Sequence, residues 1–333
     1  MLRGTPTVSV AIASYNYAHY LGDSIESALN QEGVRLEVVV VDDASRDDSV
    51  AVANRIASRD SRVKVFAHER NQGHIATFNE ALGRCSGEFL VKLDSDDMLT
   101  AGSLARSASA LQSHGNVGFV YGNPLTFETQ TPPARTAGPG RLKVWSGRHW
   151  TQLRCRRGDN VIMQPEVMMR ASVFRATGGH RANLPATHDL NVWLRMAAIA
   201  DVARLGGVDQ GFYRVHTDSL LRSSFGSYLA DLQGRLDAFE DFFRGMQGQQ
   251  GAHADIDQWR SALRRRLSQQ ALVYALRVRS GAASGEVQPY LDFARETSDW
   301  SLGEMRVGLG YRPEWYFRIG DKVRWRWWRR FGT

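Results

Sequence analysis

Three aspartates follow directly after an apolar run in the sequence. Asp94, Asp96 and Asp97 stand side by side behind the run EFLVKL at 88–93. Neighbouring carboxylates repel one another, and hard oxygen ligands of this kind suit Mg²⁺ or Mn²⁺, above all when substrate phosphates complete the coordination shell. The alternative interpretation is an acidic turn that caps the next helix, because a short motif alone is weak evidence.

A second acidic pair follows another apolar run. Asp42 and Asp43 come after LEVVVV at 36–41, which is the pattern of a strand buried on both faces. Because ligands of open α/β sheets bind beyond the carboxyl ends of the strands, both acidic groups stand where a ligand site is expected.

The elements that would position these aspartates alternate along the first half of the chain. Strands are predicted at 7–13, 36–41, 63–67, 88–93 and 117–121, and helices at 18–30, 47–59, 75–84 and 101–112. Such alternation is typical of a doubly wound, mostly parallel α/β sheet with helices on both faces.

The rest of the chain is less regular. Prolines and glycines from 123 to 158 predict loops or a hairpin, strands are predicted at 161–170 and 208–216, and a helix begins near Thr187. Long polar helices are predicted after Ser223. We therefore expect three parts, a Rossmann-like nucleotide-binding half at 1–122, an acceptor-binding half at 123–225 and a C-terminal helical appendage at 226–333.

Four segments occur in an order that is specific in combination. They are VSVAIASYN, VVVVDDAS, NQGHIATFNEAL and FLVKLDSDDML. This arrangement resembles family 2 glycosyltransferases of the GT-A fold over roughly residues 5–220. The resemblance implies a sugar transferred from a nucleotide diphosphate sugar, with UDP as the expected nucleotide, to an acceptor hydroxyl by one direct, inverting displacement.

The resemblance also assigns the donor side. It implies that Tyr15 packs on the donor base, that Asp43 binds that base and that Asp94 lies near the ribose, whereas Asp96 would be the ligand of Mn²⁺ or Mg²⁺. The full set of donor-binding residues expected on this basis is Ala13, Tyr15, Asp43, Asn71, Gly73, Asn79, Asp94 and Ser95.

The stretch ATGGHRANLPATHDLNVWLRMA resembles the family segment that carries the catalytic base. Asp189 holds the position of the base, and His188 replaces the usual first acid. A carboxylate stabilised by the helix dipole is the alternative role for Asp189. Side chains expected to line the acceptor side or to support the site are Asp97, Gln164, His188, Trp193 and Arg214, with Pro165 beside Gln164.

GFYRVHTDSL resembles the family element that closes near the diphosphate. His216 is accordingly expected to bind the metal or to touch phosphate, and a purely structural histidine is the alternative. Arg214 would support the same strand.

Composition narrows the class of protein. The 333-residue chain is 43% hydrophobic and 23% charged and has two cysteines, which indicates a globular protein of a reducing cytoplasm. Of the net charge of +7, the segment 301–333 carries +5, from eight Lys/Arg against three Asp/Glu, so a surface that tracks nucleic acid is not expected.

The basic tail RIGDKVRWRWWRRFG predicts an amphipathic helix. Ile319, Val323, Trp327 and Phe331 form an apolar stripe, next to a cationic one. Such a helix would lie on an anionic membrane, on the inner face of the cytoplasmic membrane, and would suit a saccharide or lipid-linked saccharide acceptor of bacterial surface polysaccharide or glycolipid assembly. Packing of the tail on the appendage is the alternative.

Three other classes of protein compete with this interpretation. A phospho-acceptor receiver domain also has an acidic pair at a strand end, but there the pair follows the first strand. A Rossmann dehydrogenase would need a glycine-rich turn after the first strand, where SYNYAHY stands. A non-catalytic sugar-nucleotide-binding protein of the same fold remains the main alternative, although Asp94, Asp96 and Asp189 are all present.

Overall fold

The computed structural model describes residues 4–129, 131–216, 227–247 and 253–298. The chain divides into two compact units, one made of Met1–Arg148 with Val161–Thr217 and the other of His149–Asn160 with Asp218–Thr333. The predicted membrane-binding tail lies outside the described residues. Within those residues, none of the helices combines the length and the apolar character needed to cross a bilayer.

The first unit begins with a parallel half-sheet, as the alternating pattern predicts. Its strands pair in the order β3-β2-β1-β4. The elements are β1 (Thr7–Ser14), α1 (Ala18–Leu29), β2 (Arg35–Asp42), α2 (Ser49–Ala57), β3 (Val63–Ala67), α3 (His74–Arg84) and β4 (Phe89–Asp94).

Burial on both faces explains this half-sheet. Val38 to Val41 of β2 are completely buried, as a continuous apolar run requires. Helix α1 covers one face with Leu21, Ile25 and Ala28, which recur at helical spacing and are also completely buried.

The second half of the unit adds antiparallel pairs, so the sheet as a whole is mixed. Strand β8 lies antiparallel between β4 and β6, and β9 runs parallel to β6 but antiparallel to β5 and β7. The elements are β5 (Met98–Leu99), α4 (Ser103–Ser113), β6 (Val117–Phe127), β7 (Arg141–Trp145), β8 (Met168–Arg170), α6 (Ala171–Ala176), α7 (His188–Ala197) and β9 (Asp201–Arg214). Helix α5 (Gly147–Arg157) follows β7 in the chain and belongs to the other unit from His149 onward.

The predicted strand at 161–170 is wrong over most of its length. Only Met168–Arg170 is a strand, and Gln164–Glu166 forms a 3₁₀ turn. Pro165 has no N–H to donate to a strand ladder. Its ring also lies against β9, where a Cβ on Gly211 would come within 2.8 Å of the Pro165 Cβ. The prediction for the last strand was too short, because β9 already begins at Asp201.

The helical unit contains α8 (Tyr228–Met246), α9 (His253–Arg279) and α10 (Gln288–Thr297). Ser227 caps α8, since its hydroxyl accepts a hydrogen bond from the Ala230 amide at 3.1 Å. Phe239, Phe243 and Leu267 are completely buried and form part of the core of this unit.

Candidate functional site

Three strand ends meet at one edge of the parallel half-sheet. The register pairs Ser14 with Asp42 and Ala13 with Asp94, so the segments 13–16, 42–45 and 94–97 lie next to one another. We refer to these three segments as the carboxyl edge. The edge therefore gathers both acidic groups predicted from the sequence.

Two residues of the carboxyl edge have backbone conformations that side chains other than glycine seldom adopt. Asn16 has φ of 57° and Ala44 has φ of 63°. The Asn16 amide donates to the Ser45 hydroxyl at 2.8 Å, and its carboxamide oxygen accepts the Arg46 amide at 2.8 Å. These bonds join the loop after β1 to the loop after β2, a role that the sequence analysis missed.

Asp43 holds the loop that leads into α3. Its carboxylate accepts the backbone amides of Gln72 at 2.7 Å and Gly73 at 2.8 Å, and it bonds the His68 ring at 2.8 Å. Asn71 donates to the Asp43 carbonyl at 3.2 Å. Asp43, Asn71 and Gly73, all predicted on the donor side, are thus brought together.

Hydrogen bonding decides the charge state of this group. Burial would raise the pKa of Asp43, but the bonds from Gln72, His68 and Gly73 outweigh it and lower that pKa. Burial would lower the pKa of His68, but its bonds to Asp43 and Glu80 raise it. The Asp43 carboxylate is therefore a stabilised, fully bonded anion.

The second acidic group is bonded in a different way. Asp94 accepts the Lys92 ammonium at 2.6 Å, Asp96 bonds the His216 ring at 2.9 Å, and Oδ1 of Asp97 accepts the Arg214 amide at 2.8 Å. Oδ2 of Asp97 is buried and finds no hydrogen-bond partner in the described parts of the chain. Ser95 is buried between these carboxylates in the chain, at 6% exposure.

The charges of this group are poorly compensated. Burial raises the pKa of Asp96, the charge of Asp94 raises it further, and the bond to His216 opposes both. Burial also raises the pKa of Asp97 well above its usual range, with added repulsion from Asp96 and Asp94. A cation at this place would relieve the repulsion.

Arg214, which was predicted to support its own strand, contacts the acidic loop. Its Nε donates to the Asp96 carbonyl at 2.9 Å, and its guanidinium lies 4.4 Å from the ring centre of Tyr20 and 4.5 Å from that of Phe127. A planar cation held between two rings is a rigid anchor for the loop.

The chemistry of Asp96 and His216 fits a divalent cation that takes its other ligands from substrate. Among the described residues no group of three or more His, Cys, Asp or Glu is arranged to hold a metal on its own. Nδ1 of His216 is buried and has no hydrogen-bond partner among the described residues, and its ring packs against Tyr17 and Tyr20 at 5.8 and 5.3 Å between centres. Mg²⁺ sites commonly use one or two carboxylates and complete the shell with phosphates and water.

Asp189 lies in the first turn of α7, half-buried, where its Oδ1 accepts the Leu190 amide at 2.7 Å. His188 is buried and its Nδ1 lies 2.9 Å from Nδ1 of His180, so one ring donates and the other accepts. The His188 ring also lies 5.4 Å from the ring of His74.

Burial favours the neutral form of these three histidines. Burial lowers the pKa of each, and the positive charge of Lys92 adds to this effect, so that the pKa of His180 falls to about 3. Lys92, 3% exposed, was not predicted, although a single lysine inside an apolar strand could have indicated it.

Two residues that were predicted to belong to the site, Asn79 and Trp193, have structural contacts. Both ends of the Asn79 carboxamide bond the backbone of His180, at 2.8 and 2.9 Å, so Asn79 holds the loop before α7. Trp193 is completely buried and its ring lies 5.3 Å from that of Phe119. Trp193 therefore supports α7 and does not face an acceptor.

Glu166 was missed by sequence reasoning. It is 3% exposed, and burial together with the charge of Asp189 raises its pKa well above the usual range. Its neighbour Gln164, which was predicted, is also buried. The interruption of the apolar run VIMQPEVMM by two polar residues around Pro165 is the signal that could have identified Glu166.

Comparisons with known proteins agree with this geometry. A family model described as glycosyl transferase family 2 matches residues 9–176, about half of the chain. The GalNAc(5)-diNAcBac-PP-undecaprenol beta-1,3-glucosyltransferase of Campylobacter jejuni is 37% identical over 141 residues, which cover 41% of this chain and 44% of that protein. The succinoglycan biosynthesis protein ExoO of Rhizobium meliloti is 40% identical over 110 residues, 33% of this chain and 31% of that protein. The chain thus spans about a third to a half of the length of these relatives.

Solved structures share the fold. S. aureus TarS in complex with UDP-GlcNAc aligns with a TM-score of 0.64 at 17% identity, over 94% of this chain and 92% of that one. The mannosyltransferase PcManGT of Pyrobaculum calidifontis, in complex with GDP-Man and Mn²⁺, aligns with a TM-score of 0.58 at 16% identity, over 98% and 84%. At this level of identity the likeness establishes the fold.

Proposed function

Because the chain belongs to glycosyl transferase family 2, we propose that it transfers a sugar from a nucleoside diphosphate sugar, with UDP as the nucleotide, to an acceptor hydroxyl with inversion of the anomeric centre. Its relatives act in polysaccharide and glycolipid biosynthesis, so the proposed acceptor is a saccharide or a lipid-linked saccharide.

The observation that carries this proposal is the position of His74. Its titration is influenced by the charges of Asp94 and Asp43, and its ring lies 5.4 Å from that of His188, the residue before Asp189. His74 follows Gly73, whose amide Asp43 binds, and its ring contacts that of His188, so the loop held by the carboxyl edge is a neighbour of the start of α7. This proximity supports the proposal, since transfer requires the two substrates to be held together.

The donor would bind along the carboxyl edge. The half-exposed ring of Tyr15, at 41% exposure, is available to stack on the nucleobase. Ala13 lies at the end of β1, and Asp43 holds Asn71 and the Gly73 amide against the same edge. Asp94 and Ser95 would contact the ribose and the diphosphate.

Asp96 and His216 would hold Mn²⁺ or Mg²⁺, which would supply the positive charge that a departing diphosphate needs. The acidic loop is held in position by Arg214, whose Nε donates to the Asp96 carbonyl and so joins the loop to β9. Asp97 and Ser95 are 1% and 6% exposed, whereas Asp94 and Asp96 are half-buried and remain accessible to a substrate.

Asp189 would remove the proton from the attacking hydroxyl. The acceptor oxygen forms a bond to the anomeric carbon while the bond from that carbon to the diphosphate oxygen breaks, and the proton passes to the Asp189 carboxylate. General-base assistance of this kind contributes about 10²- to 10⁴-fold. The bond from the Leu190 amide at 2.7 Å orients the carboxylate.

Donor turnover tests the proposal. The protein is incubated with UDP-glucose, UDP-galactose, UDP-GlcNAc, UDP-GalNAc and GDP-mannose, with Mn²⁺, Mg²⁺ or EDTA, and release of the nucleoside diphosphate is measured. We expect release from one UDP-sugar that depends on added cation. Donor binding without any release, with or without an acceptor extract, would favour the non-catalytic binding protein.

Membrane binding through the tail is a separate proposal, since that segment lies outside the described residues. Liposome flotation with anionic vesicles tests it, and unchanged flotation after deletion of residues 312–333 would reject it.

A further inference from the structure

The helical unit contains a cavity whose lining shares no residue with the carboxyl edge. It lies along α9, beside the end of α5, and every residue that lines it belongs to this second unit. Its volume of about 420 Å³ falls within the range of about 300–1,000 Å³ that pockets for small ligands occupy. We refer to this cavity as the arginine groove, after Arg156, Arg265 and Arg266 in its lining.

One face of α9 forms most of the arginine groove. Its lining residues recur at the three- and four-residue spacing of a single helix face. They are Gln258, Ser261, Ala262, Arg265, Arg266 and Gln269. The opposite face carries Trp259, Leu263 and Leu267, which are buried. The apolar side of α9 therefore faces the core, and mainly polar side chains remain for the groove.

The arginine groove is positively charged. Three of the seven residues that line it are arginines, and none of the seven is acidic. Arg156 and Arg265 are exposed, and among the described residues neither has a carboxylate as an ion-pair partner. The charge of these two guanidinium groups is therefore available to a ligand.

Other arginines of α9 are compensated. Arg260 and Arg264 lie on a different side of the helix and pair with Glu240 of α8 at 3.1 and 3.3 Å. An arginine of α9 thus has a carboxylate partner where α8 offers one, whereas the lining of the arginine groove offers none.

Hydrogen bonds fix the walls of the groove. Nε of Arg266 donates to the Arg157 carbonyl at 3.4 Å, and Nε2 of Gln270 donates to the same oxygen at 2.8 Å. These bonds hold α9 against the end of α5, next to Arg156. A ligand would meet a preformed cluster of cations, which reduces the entropy cost of binding.

The chemistry of the lining indicates an anion with several acceptor oxygens. A guanidinium group binds phosphate oxygens in pairs, and the carboxamides and the hydroxyl of the lining can bond the remaining oxygens or neighbouring hydroxyls. The chain's own segment 301–333, with a charge of +5 from eight Lys/Arg and three Asp/Glu, has the wrong sign to fill the groove, as has a second copy of the chain with +7. An apolar partner would leave the arginines without counter-charge.

We propose that the arginine groove binds the phosphate headgroup of an anionic phospholipid and so docks the helical unit on a membrane surface. Anionic phospholipids present many phosphates on one surface, and such a surface attracts clusters of exposed arginines. The sequence of the basic, tryptophan-rich tail belongs to the same unit, so both features favour the same kind of surface. The groove residues take no part in the proposed transfer reaction, which can therefore stand if this inference fails.

Cosedimentation of the whole chain with vesicles tests the groove. The vesicles consist of phosphatidylcholine with or without phosphatidylglycerol, and every variant keeps the tail so that its contribution is constant. The groove variant, Arg156→Gln with Arg265→Gln, removes two positive charges from the lining. The matched control, Arg244→Gln with Arg295→Gln, removes two positive charges from exposed positions of the same unit, where each arginine has a carboxylate partner.

We expect the wild-type protein to bind phosphatidylglycerol vesicles and the groove variant to bind them about 25-fold more weakly, because each arginine at an anionic surface contributes about fivefold. The control variant should bind within about twofold of the wild type, since solvent and salt screen charges away from the contact. Ser261→Glu, which places a carboxylate in the groove, should weaken binding by about fivefold, whereas Ser261→Gln should retain it. The substituted side chains are exposed, so each Tm should stay at the wild-type value.

Several results would overturn the inference. Equal weakening in the groove variant and the control would indicate general charge attraction, and wild-type binding by the groove variant and by Ser261→Glu would assign vesicle binding to other parts of the chain. A wild-type protein that binds no vesicles would reject the membrane surface outright. If the groove variant keeps vesicle binding but loses affinity for glycerol 3-phosphate or for an oligonucleotide, the ligand is a soluble phosphate or a nucleic acid and not a lipid. Nucleoside diphosphate release should be unchanged in every variant, so failure here is distinguishable from failure of the proposed function.

Discussion

The two acidic groups of the carboxyl edge look alike in the sequence and differ in the structure. Both carboxylate oxygens of Asp42 and of Asp43 have hydrogen-bond partners. Ser45 donates to Asp42, whereas Asp43 bonds the His68 ring and the backbone amides of residues 72 and 73. Within the described residues, the Asp94–Asp97 group has one carboxylate oxygen without a hydrogen-bond partner, and the pKa values of Asp96 and Asp97 are raised.

The difference shows that carboxylates at strand ends can either stabilise the fold or form a site that lacks compensating positive charge. Hydrogen-bond donors make Asp43 a stable part of the fold that shapes the loop into α3. The Asp94–Asp97 group is held in place by Lys92, Arg214 and His216 but remains short of positive charge. The first group should therefore matter more for stability, and the second more for activity.

The largest effect is expected for Asp96→Ala. Loss of a ligand beside the departing diphosphate should reduce nucleoside diphosphate release by about 10³-fold, in the range found for a removed electrostatic stabiliser. The Tm should stay constant or rise, because a carboxylate that Asp94 repels is removed. Asp60→Ala, which removes a surface pair with Arg62, is the control, and equal losses in both variants would contradict the assignment.

Asp189→Asn should come next. The amide cannot accept the proton, so transfer should fall by about 10²- to 10⁴-fold, whereas UDP affinity measured by calorimetry should be retained. Turnover at the wild-type rate with the natural acceptor would exclude Asp189 as the base.

A matched pair of isosteric changes compares the two groups directly. Asp43→Asn should lower the free energy of unfolding by about 1–3 kcal/mol, because an NH₂ group would face backbone N–H donors. Asp97→Asn replaces a carboxyl group whose charge is already disfavoured, so it should leave the Tm nearly unchanged or raise it. Thermal unfolding at pH 7 measures both, and equal destabilisation would remove the distinction between the groups.

The smallest effect concerns pH. Because the folded-state pKa of His68 is raised above 6.5, its stabilising charge is present below pH 6.5 and is lost as pH rises through the folded value. The lowered pKa of Asp43 keeps its contribution present above pH 3.8 and removes it as pH falls. His68→Gln should therefore lower the Tm more at pH 5.5 than at pH 8.5, and a constant difference across that range would contradict the charged pair.

The parallel half-sheet was predictable because its signals are local. The bounds of β3 agree with the prediction, and those of β1, β2 and β4 differ by single residues at their ends. The 3₁₀ turn at Gln164 was not predictable, because its partner Gly211 is distant along the chain. The same holds for the contact between His180 and His188, which depends on Asn79 holding a loop.

The amino-acid sequence by itself determined where strands end and which carboxylates stand there, since buried apolar runs and the residues after them are adjacent in the chain. Only the tertiary structure decided which of those carboxylates would be fully hydrogen-bonded and which would lack compensating positive charge. Hydrogen-bond donors such as Gln72 and Arg214, and the burial that raises the pKa values of Asp97 and Glu166, come from segments that meet only when the sheet is complete.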